Sequence, residues 1–157
     1  MALGSGETPL LEMANAYATL GNAGIYRDPV ALLSIRDSRG NMIPCPLCRS
    51  VSDADAKPAS EPEPVLDPRI AYQVTSMLSD VAARPNEYWQ QVLSVPGTTA
   101  AAKTGTSNKC LERTEDQNCK VLRPYDLWTI GYTPDIAAGV WLGNANSESL
   151  YEKAESL

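Results

Sequence analysis

The chain is 157 residues long, close to one domain at roughly 150 residues per domain, and long enough to bury a core. Its 13 basic and 19 acidic residues give a net charge of −6, which disfavours binding to nucleic-acid phosphates. Histidine and phenylalanine are absent, which excludes a Ser-His-Asp triad, a Cys-His nucleophile pair, a HExxH zinc protease and a His-containing zinc finger; a general base here has to be a carboxylate, a lysine or a tyrosine.

From the N-terminus, residues 1–7 lack a basic region followed by an apolar one, so they do not read as a signal peptide, and targeting information for an exported parent would lie outside this chain. Thr8-Pro9 is a helix start, with Thr8 as cap and Pro9 at the first helical position. Leu10, Met13, Ala14, Tyr17 and Leu20 follow at helical spacing, and Gly21-Asn22-Ala23-Gly24 supplies the stop. Residues 30–37 read as a strand, Ser38-Arg39-Gly40-Asn41 as a turn, and Met42-Ile43 as the return strand. Residues 44–64 hold five prolines among Ser, Ala, Asp and Glu, and read as an exposed loop. Asp67 then caps a second helix with Pro68 at its first position. Its apolar face is Ile70, Ala71, Val74, Met77, Leu78 and Val81, and Arg84-Pro85-Asn86 ends it. Residues 89–95 read as short helical or irregular, Pro96-Gly97 as a turn, 100–106 as a strand and 107–124 as a polar loop. Residues 126–132 and 136–142 form a hairpin around Thr133-Pro134-Asp135, and 147–157 read as the first turns of a helix. No run reaches the ~20 apolar residues needed to cross a bilayer; the best candidate is broken by Pro134 and Asp135.

Chemistry concentrates in Ala102-Lys103-Thr104-Gly105-Thr106-Ser107-Asn108. On a strand, Lys103 and Thr104 point to opposite faces. Gly105 keeps a ligand's approach open, and Thr106 can offer both its N–H and its hydroxyl. A cation, hydroxyls and a main-chain donor suit acyl transfer. A triplet this short also reads as a solvent-facing lysine before a strand glycine.

Ordered matches along the chain decide between the two. Residues 3–14 with Ala16-Tyr17-Ala18-Thr19, then Asn22-Ala23-Gly24, Pro29 and residues 35–40, then Val65-Leu66-Asp67-Pro68 with 71–78, then 102–108, 126–135 and 139–144, resemble the C-terminal half of the transpeptidase domain of class A, high-molecular-weight penicillin-binding proteins. Residues 44–64 and 109–124 lie outside the resemblance. It implies an α+β fold of the serine β-lactamase and penicillin-binding transpeptidase type, a mainly antiparallel sheet flanked by helices, with residues 1–157 as the C-terminal part of one such domain. It implies D,D-transpeptidation of peptidoglycan stem peptides, with β-lactams acylating the same serine, at the extracytoplasmic face of the bacterial membrane, and no cofactor. By the same carry-over Lys103, Thr104 and Gly105 belong to the catalytic wall. Lys103 supplies positive charge, Thr104 and Thr106 line the substrate-carboxylate region, and Thr106 with Ser107 forms the substrate and oxyanion side. One oxyanion donor is worth roughly 3 kcal/mol in other enzymes.

The chain departs from the family's pattern in one respect. The nucleophile motif is Ser-x-x-Lys, followed by Ser-x-Asn. No serine here has Lys three residues on or Asn two residues on, and Thr106-Ser107-Asn108-Lys109 is a coincidental Thr-x-x-Lys. The chain is therefore expected to be a piece of a larger enzyme that does not transfer acyl groups alone, its partner being the missing N-terminal half of the domain. An uncovered sheet face makes self-association an expectation. The alternative is a non-catalytic binding module of the same fold.

Cys45-Pro46-Leu47-Cys48 is a CxxC, and Cys110 and Cys119 have eight residues between them. A four-thiolate zinc site, a redox CxxC and structural disulfides are the readings open. The second spacing is wrong for a zinc ribbon and the CxxC lies in proline-rich loop, so the local pairing Cys45–Cys48 and Cys110–Cys119 is favoured over the other two pairings, and no metal site is expected. Trp128, Trp141 and Tyr132 read as core or hairpin packing rather than a ligand platform. The acidic residues of 53–67, with Glu112, Glu115 and Asp116, read as solvated, and Asp126 as an unassigned carboxylate before a strand.

Overall fold

The computed structural model describes residues 7–44 and 62–150. The local pairing expected for Cys45 and Cys48, and the end of the helix expected at 147–157, fall outside them.

Helix α1 spans Leu10–Gly21. Its cap is Pro9, whose carbonyl accepts from Met13 N at 3.1 Å, and no side chain caps it, so the cap expected of Thr8 is corrected by one position. The helix stops as expected. Asn22 N returns to the Ala18 carbonyl, Ala23 and Gly24 take positive φ, and Gly24 N bonds the Thr19 carbonyl at 2.9 Å. A Cβ on Gly24 would run into the Leu66 carbonyl, so glycine is required there twice over. The Gly24 carbonyl in turn accepts from Val65 N and Leu66 N, and β1 (Ile25–Tyr26) pairs antiparallel with β4 (Glu63–Pro64). The end of the stretch read as loop is thus a short strand.

The expected strand at 30–37 shrinks to β2 (Ile35–Arg36), paired with β3 (Met42–Ile43). The turn between them is held by Asp37, whose Oδ1 accepts from Arg39 N and Asn41 N, each at 2.8 Å.

Helix α2 (Pro68–Ser79) begins as read from sequence, with the Asp67 carboxylate accepting from Arg69 N at 2.9 Å. It ends earlier than Arg84, because Asp80 leaves the helix and its Oδ1 takes the amides of Ala82 and Ala83. Ala71 is fully buried, but Ile70 and Met77 of the expected apolar face are 49% and 67% exposed. Helix α3 covers Glu87–Val92, capped by Asn86.

The main sheet is an antiparallel β5-β6-β7 array of β5 (Ala101–Arg113), β6 (Cys119–Tyr132) and β7 (Ala137–Gly143). The expected polar loop at 107–124 is instead the two arms of a long hairpin. Cross-strand pairing continues to Arg113–Cys119, so main-chain bonds override a polar composition that reads as loop. Residues 147–150 are not helical.

The core sits where α1, α2 and the sheet meet: Ala71, Ala101, Leu127, Ile130 and Tyr132 are buried, with Thr19 bonding the Asn15 carbonyl. Tyr132 joins three elements. Its ring meets Tyr17 edge-on with centroids 6.0 Å apart, and its hydroxyl shares a 2.8 Å hydrogen bond with Thr75 of α2. Burial, then the charge of Tyr132, pushes the Tyr17 hydroxyl above its ordinary pKa. Helix α1 lies close on the sheet because Gly139 and Gly21 carry no side chain; a Cβ at Gly139 would come within 2.9 Å of Leu10 Cδ1.

Candidate active-site wall

The Lys-Thr-Gly stretch lies in the first half of β5, and its surroundings follow from register. Lys103 faces Ile130, Gly105 faces Trp128 and Ser107 faces Asp126; the alternate pairs are Thr104 with Thr129 and Thr106 with Leu127. Lys103, Gly105 and Ser107 therefore share one face and Thr104 and Thr106 the other, as the period of two demands. Among the described residues β5 is the edge of the sheet, paired only with β6. A ligand lying along that edge is flanked by side chains of both faces at once, which unites a cation and hydroxyls that the pleat sets apart. The Lys103 ammonium folds back onto the Thr104 carbonyl.

Gly105 is not demanded by packing. A Cβ there meets Trp128 Cβ at 3.6 Å, an ordinary contact, so within this chain the missing side chain leaves free space above Trp128.

A break in register follows Ser107. Asn108 stands opposite Pro124, which has no N–H to give the ladder, and β7 ends at Gly143 opposite Asp126. The three-stranded sheet thus stops where the motif stops, and a two-stranded ribbon continues to a turn at residues 114–118. The Cys110–Cys119 disulfide staples that ribbon. The pairing is the local one favoured from sequence, and oxidised sulfurs leave no thiolate at these two positions for zinc. Among the described residues no group of three or more His, Cys, Asp or Glu is placed to hold a metal ion. Leu150 N bonds the Pro124 carbonyl and Lys109 Nζ the Ser147 carbonyl, so the segment after β7 packs back over the ribbon base. Asp126, unassigned from sequence, accepts from the Trp141 indole N–H at 2.8 Å, a partner on the neighbouring strand β7 that only the register supplies.

Beside the first half of β5 opens a groove of about 430 Å³, walled by Ala102, Lys103 and Thr104 on one side and by Leu78, Arg84 and Trp89 on the other. Arg84 and Trp89 carry no motif, and nothing in the sequence marks them as neighbours of Lys103. A second cavity, about 220 Å³ between α1 and the β6–β7 turn, touches none of the motif residues.

The family described as "Penicillin binding protein transpeptidase domain" matches residues 2–155. The chain belongs to this family. Among curated relatives, penicillin-binding protein 1A of Rickettsia bellii is 32% identical over 166 residues, covering 98% of this chain and 19% of that protein. Penicillin-binding protein 1A/1B of Bacillus subtilis is 31% identical, covering 88% of this chain and 14% of that protein. The chain thus spans about a fifth or less of the length of these penicillin-binding relatives. Its fold is similar to PonA1 of Mycobacterium tuberculosis, solved in complex with penicillin V, with a TM-score of 0.63, 27% identity and coverage of 94% of this chain and 33% of that one. PBPA of the same organism, at 20% identity and a TM-score of 0.57, shares the fold. The α+β class expected from sequence is that of the penicillin-binding transpeptidases. Among the described residues no helix is long and apolar enough to cross a membrane.

Proposed function

We infer that this chain is the C-terminal part of a D,D-transpeptidase domain, working on the extracytoplasmic side of a bacterial membrane and supplying one wall of a site whose serine lies elsewhere in the parent protein. The observation that carries the reading is the open edge of β5, along which Lys103, Thr104, Gly105, Thr106 and Ser107 follow one another, with Lys103 and Thr104 lining a groove. In this role the peptide donor lies along β5. Lys103 supplies positive charge near the attacking hydroxyl, Thr104 and Thr106 hold the carboxylate end, and the Thr106 N–H, beside Ser107, points to the developing oxyanion. The stem peptides of peptidoglycan, and β-lactams that mimic them, are the ligands of the parent enzyme. Alone, without Ser-x-x-Lys and Ser-x-Asn, the chain is inactive, and its uncovered apolar surface drives self-association.

Intact mass measured before and after incubation with a β-lactam tests this. The isolated chain forms no covalent adduct, whereas the parent protein acylates once per molecule and Lys103→Ala in the parent slows acylation by about a hundredfold or more. A stoichiometric adduct on this chain would overturn the reading and make Thr106 or Ser107 the nucleophile to mutate first. A parent that never acylates would favour the non-catalytic binding module instead.

A further inference from the structure

The last rung of the three-stranded sheet is Ser107–Asp126–Gly143. These residues stand directly opposite one another, so Ser107 and Asp126 present their side chains on one face. Immediately beyond, the ladder weakens. β7 has ended, Tyr125 is unmatched because the register moves to Asn108–Pro124, and Pro124 has no N–H to give. The Thr106–Leu127 pair lies one residue before this rung, so the hold on Asp126 bears directly on the end of the motif strand. That hold comes from the side away from β5. The Trp141 indole N–H donates to Asp126 Oδ1 at 2.8 Å. To reach it the indole lies across Gly143, where a Cβ would collide with the Trp141 ring and stand 2.9 Å from Asp126 Oδ1. Gly143 takes no positive φ, so the indole, not the backbone, asks for glycine there. Trp141 is 40% exposed, so burial alone does not fix its ring; a directed bond does.

We propose that Trp141, Asp126 and Gly143 form a clasp that positions Thr106 and Ser107 for acyl transfer, with Trp141 and Asp126 as positioning residues that touch no reacting atom. The proposal rests on the reading of β5 as the substrate wall and deepens it. The clasp ties β7 to β6 at the rung where the three-stranded sheet gives way to the ribbon. It keeps motion of the ribbon from swinging the Thr106 N–H away from the developing oxyanion. A main-chain donor stabilises an oxyanion only at the right distance, so a small displacement at this end of β5 slows the reaction without emptying the site.

The test is acylation of the parent protein by benzylpenicillin, with the binding constant and the first-order acylation step measured separately. Trp141→Phe keeps a ring and removes the indole N–H. Gly143→Ala pushes the indole off Asp126 and leaves both partners in the sequence. Each should slow the acylation step by about tenfold with penicillin binding little changed. Asp126→Asn keeps an oxygen for the indole N–H and should stay near the wild-type rate, whereas Asp126→Leu should be as slow as Trp141→Phe. In this chain alone, Trp141→Phe and Gly143→Ala should move the NMR amide signals of Thr106 and Ser107 and leave those of Ala101 and Ala102 in place. Wild-type acylation steps in both variants, even with a lowered melting temperature, would make the clasp a brace of the fold and overturn the proposal. Asp126→Asn as slow as Asp126→Leu overturns it too, because the charge and not the bond to Trp141 would then matter. Should Trp141→Phe not fold, Gly143→Ala carries the kinetic test. A wild-type parent that never acylates sinks the substrate-wall reading instead, and unmoved Thr106 and Ser107 amides in this chain would then sink the clasp as well.

Discussion

At the scale of single residues, Gly105 and Asp67 make opposite cases. Gly105 has room for a methyl group in this chain, and a strand glycine contributes nothing to packing. Gly105→Ala should therefore leave the melting temperature of this chain unchanged or slightly raised, while in the parent protein it slows β-lactam acylation by about tenfold or more through a displaced ligand. A drop in melting temperature with unchanged acylation would make the glycine structural. Asp67 is the reverse, a residue of the scaffold. Bonds from the Arg69 side chain, then the Arg69 amide, hold its carboxyl below the ordinary 3.8, and the Asn41 side chain followed by backbone amides does the same for Asp37. A depressed carboxylate contributes stability that is present above its ordinary pKa and is lost as pH falls through the lower folded value. Asparagine at 67 keeps a cap but removes the charge. The gap in melting temperature between wild type and Asp67→Asn should be widest near neutral pH and close on acidification below about pH 4. A gap that does not change with pH would assign the whole effect to capping.

Between elements, two links position the motif strand. The hydrogen bond between Thr75 and Tyr132 ties α2 to β6, the strand that pairs with β5. Tyr132→Phe leaves the ring against Tyr17 and strands only the Thr75 hydroxyl, so it should cost about 1 kcal/mol in chemical denaturation. A loss of several kcal/mol would mean that the ring has moved as well. The second link is the stapled ribbon. The disulfide closes a short loop and restrains the unfolded chain by roughly 2–3 kcal/mol. With both Cys110 and Cys119 changed to Ser, amides of residues 108–124 should exchange faster with solvent while those of residues 101–107, backed by the three-stranded part of the sheet, keep their protection. Equal loss of protection along all of β5 would show that ribbon and motif unfold as one.

Over the whole molecule, the balance of buried and exposed apolar groups is unusual. Five apolar residues are buried among those described, while Leu11, Tyr72, Met77, Ile136 and Val140 are each more than 60% exposed. On the function proposed above, this exposed apolar surface is what the rest of a parent domain would cover. Sedimentation velocity over a range of concentrations should show reversible association of this chain, weakened by Met77→Lys with Val140→Lys. A clean monomer at high concentration would sink the idea.

Local signals in the sequence were strong enough to decide several parts of this protein. The Asp67-Pro68 start of α2, the stop of α1 at Gly21–Gly24, the turn held by Asp37 and the last hairpin rest on capping, positive φ and turn chemistry, which act within a few residues. Ordered motif matches gave the family for the same reason, since they are short and contiguous. Tertiary structure decided the rest. Residues 107–124 have a loop's composition, and only cross-strand bonds and a disulfide make them a ribbon. Asp126 finds Trp141 through register across β6 and β7. Arg84 and Lys103 line one groove because α2 ends at Asp80 and the chain turns back toward β5, a juxtaposition across 19 residues of sequence that no local pattern encodes.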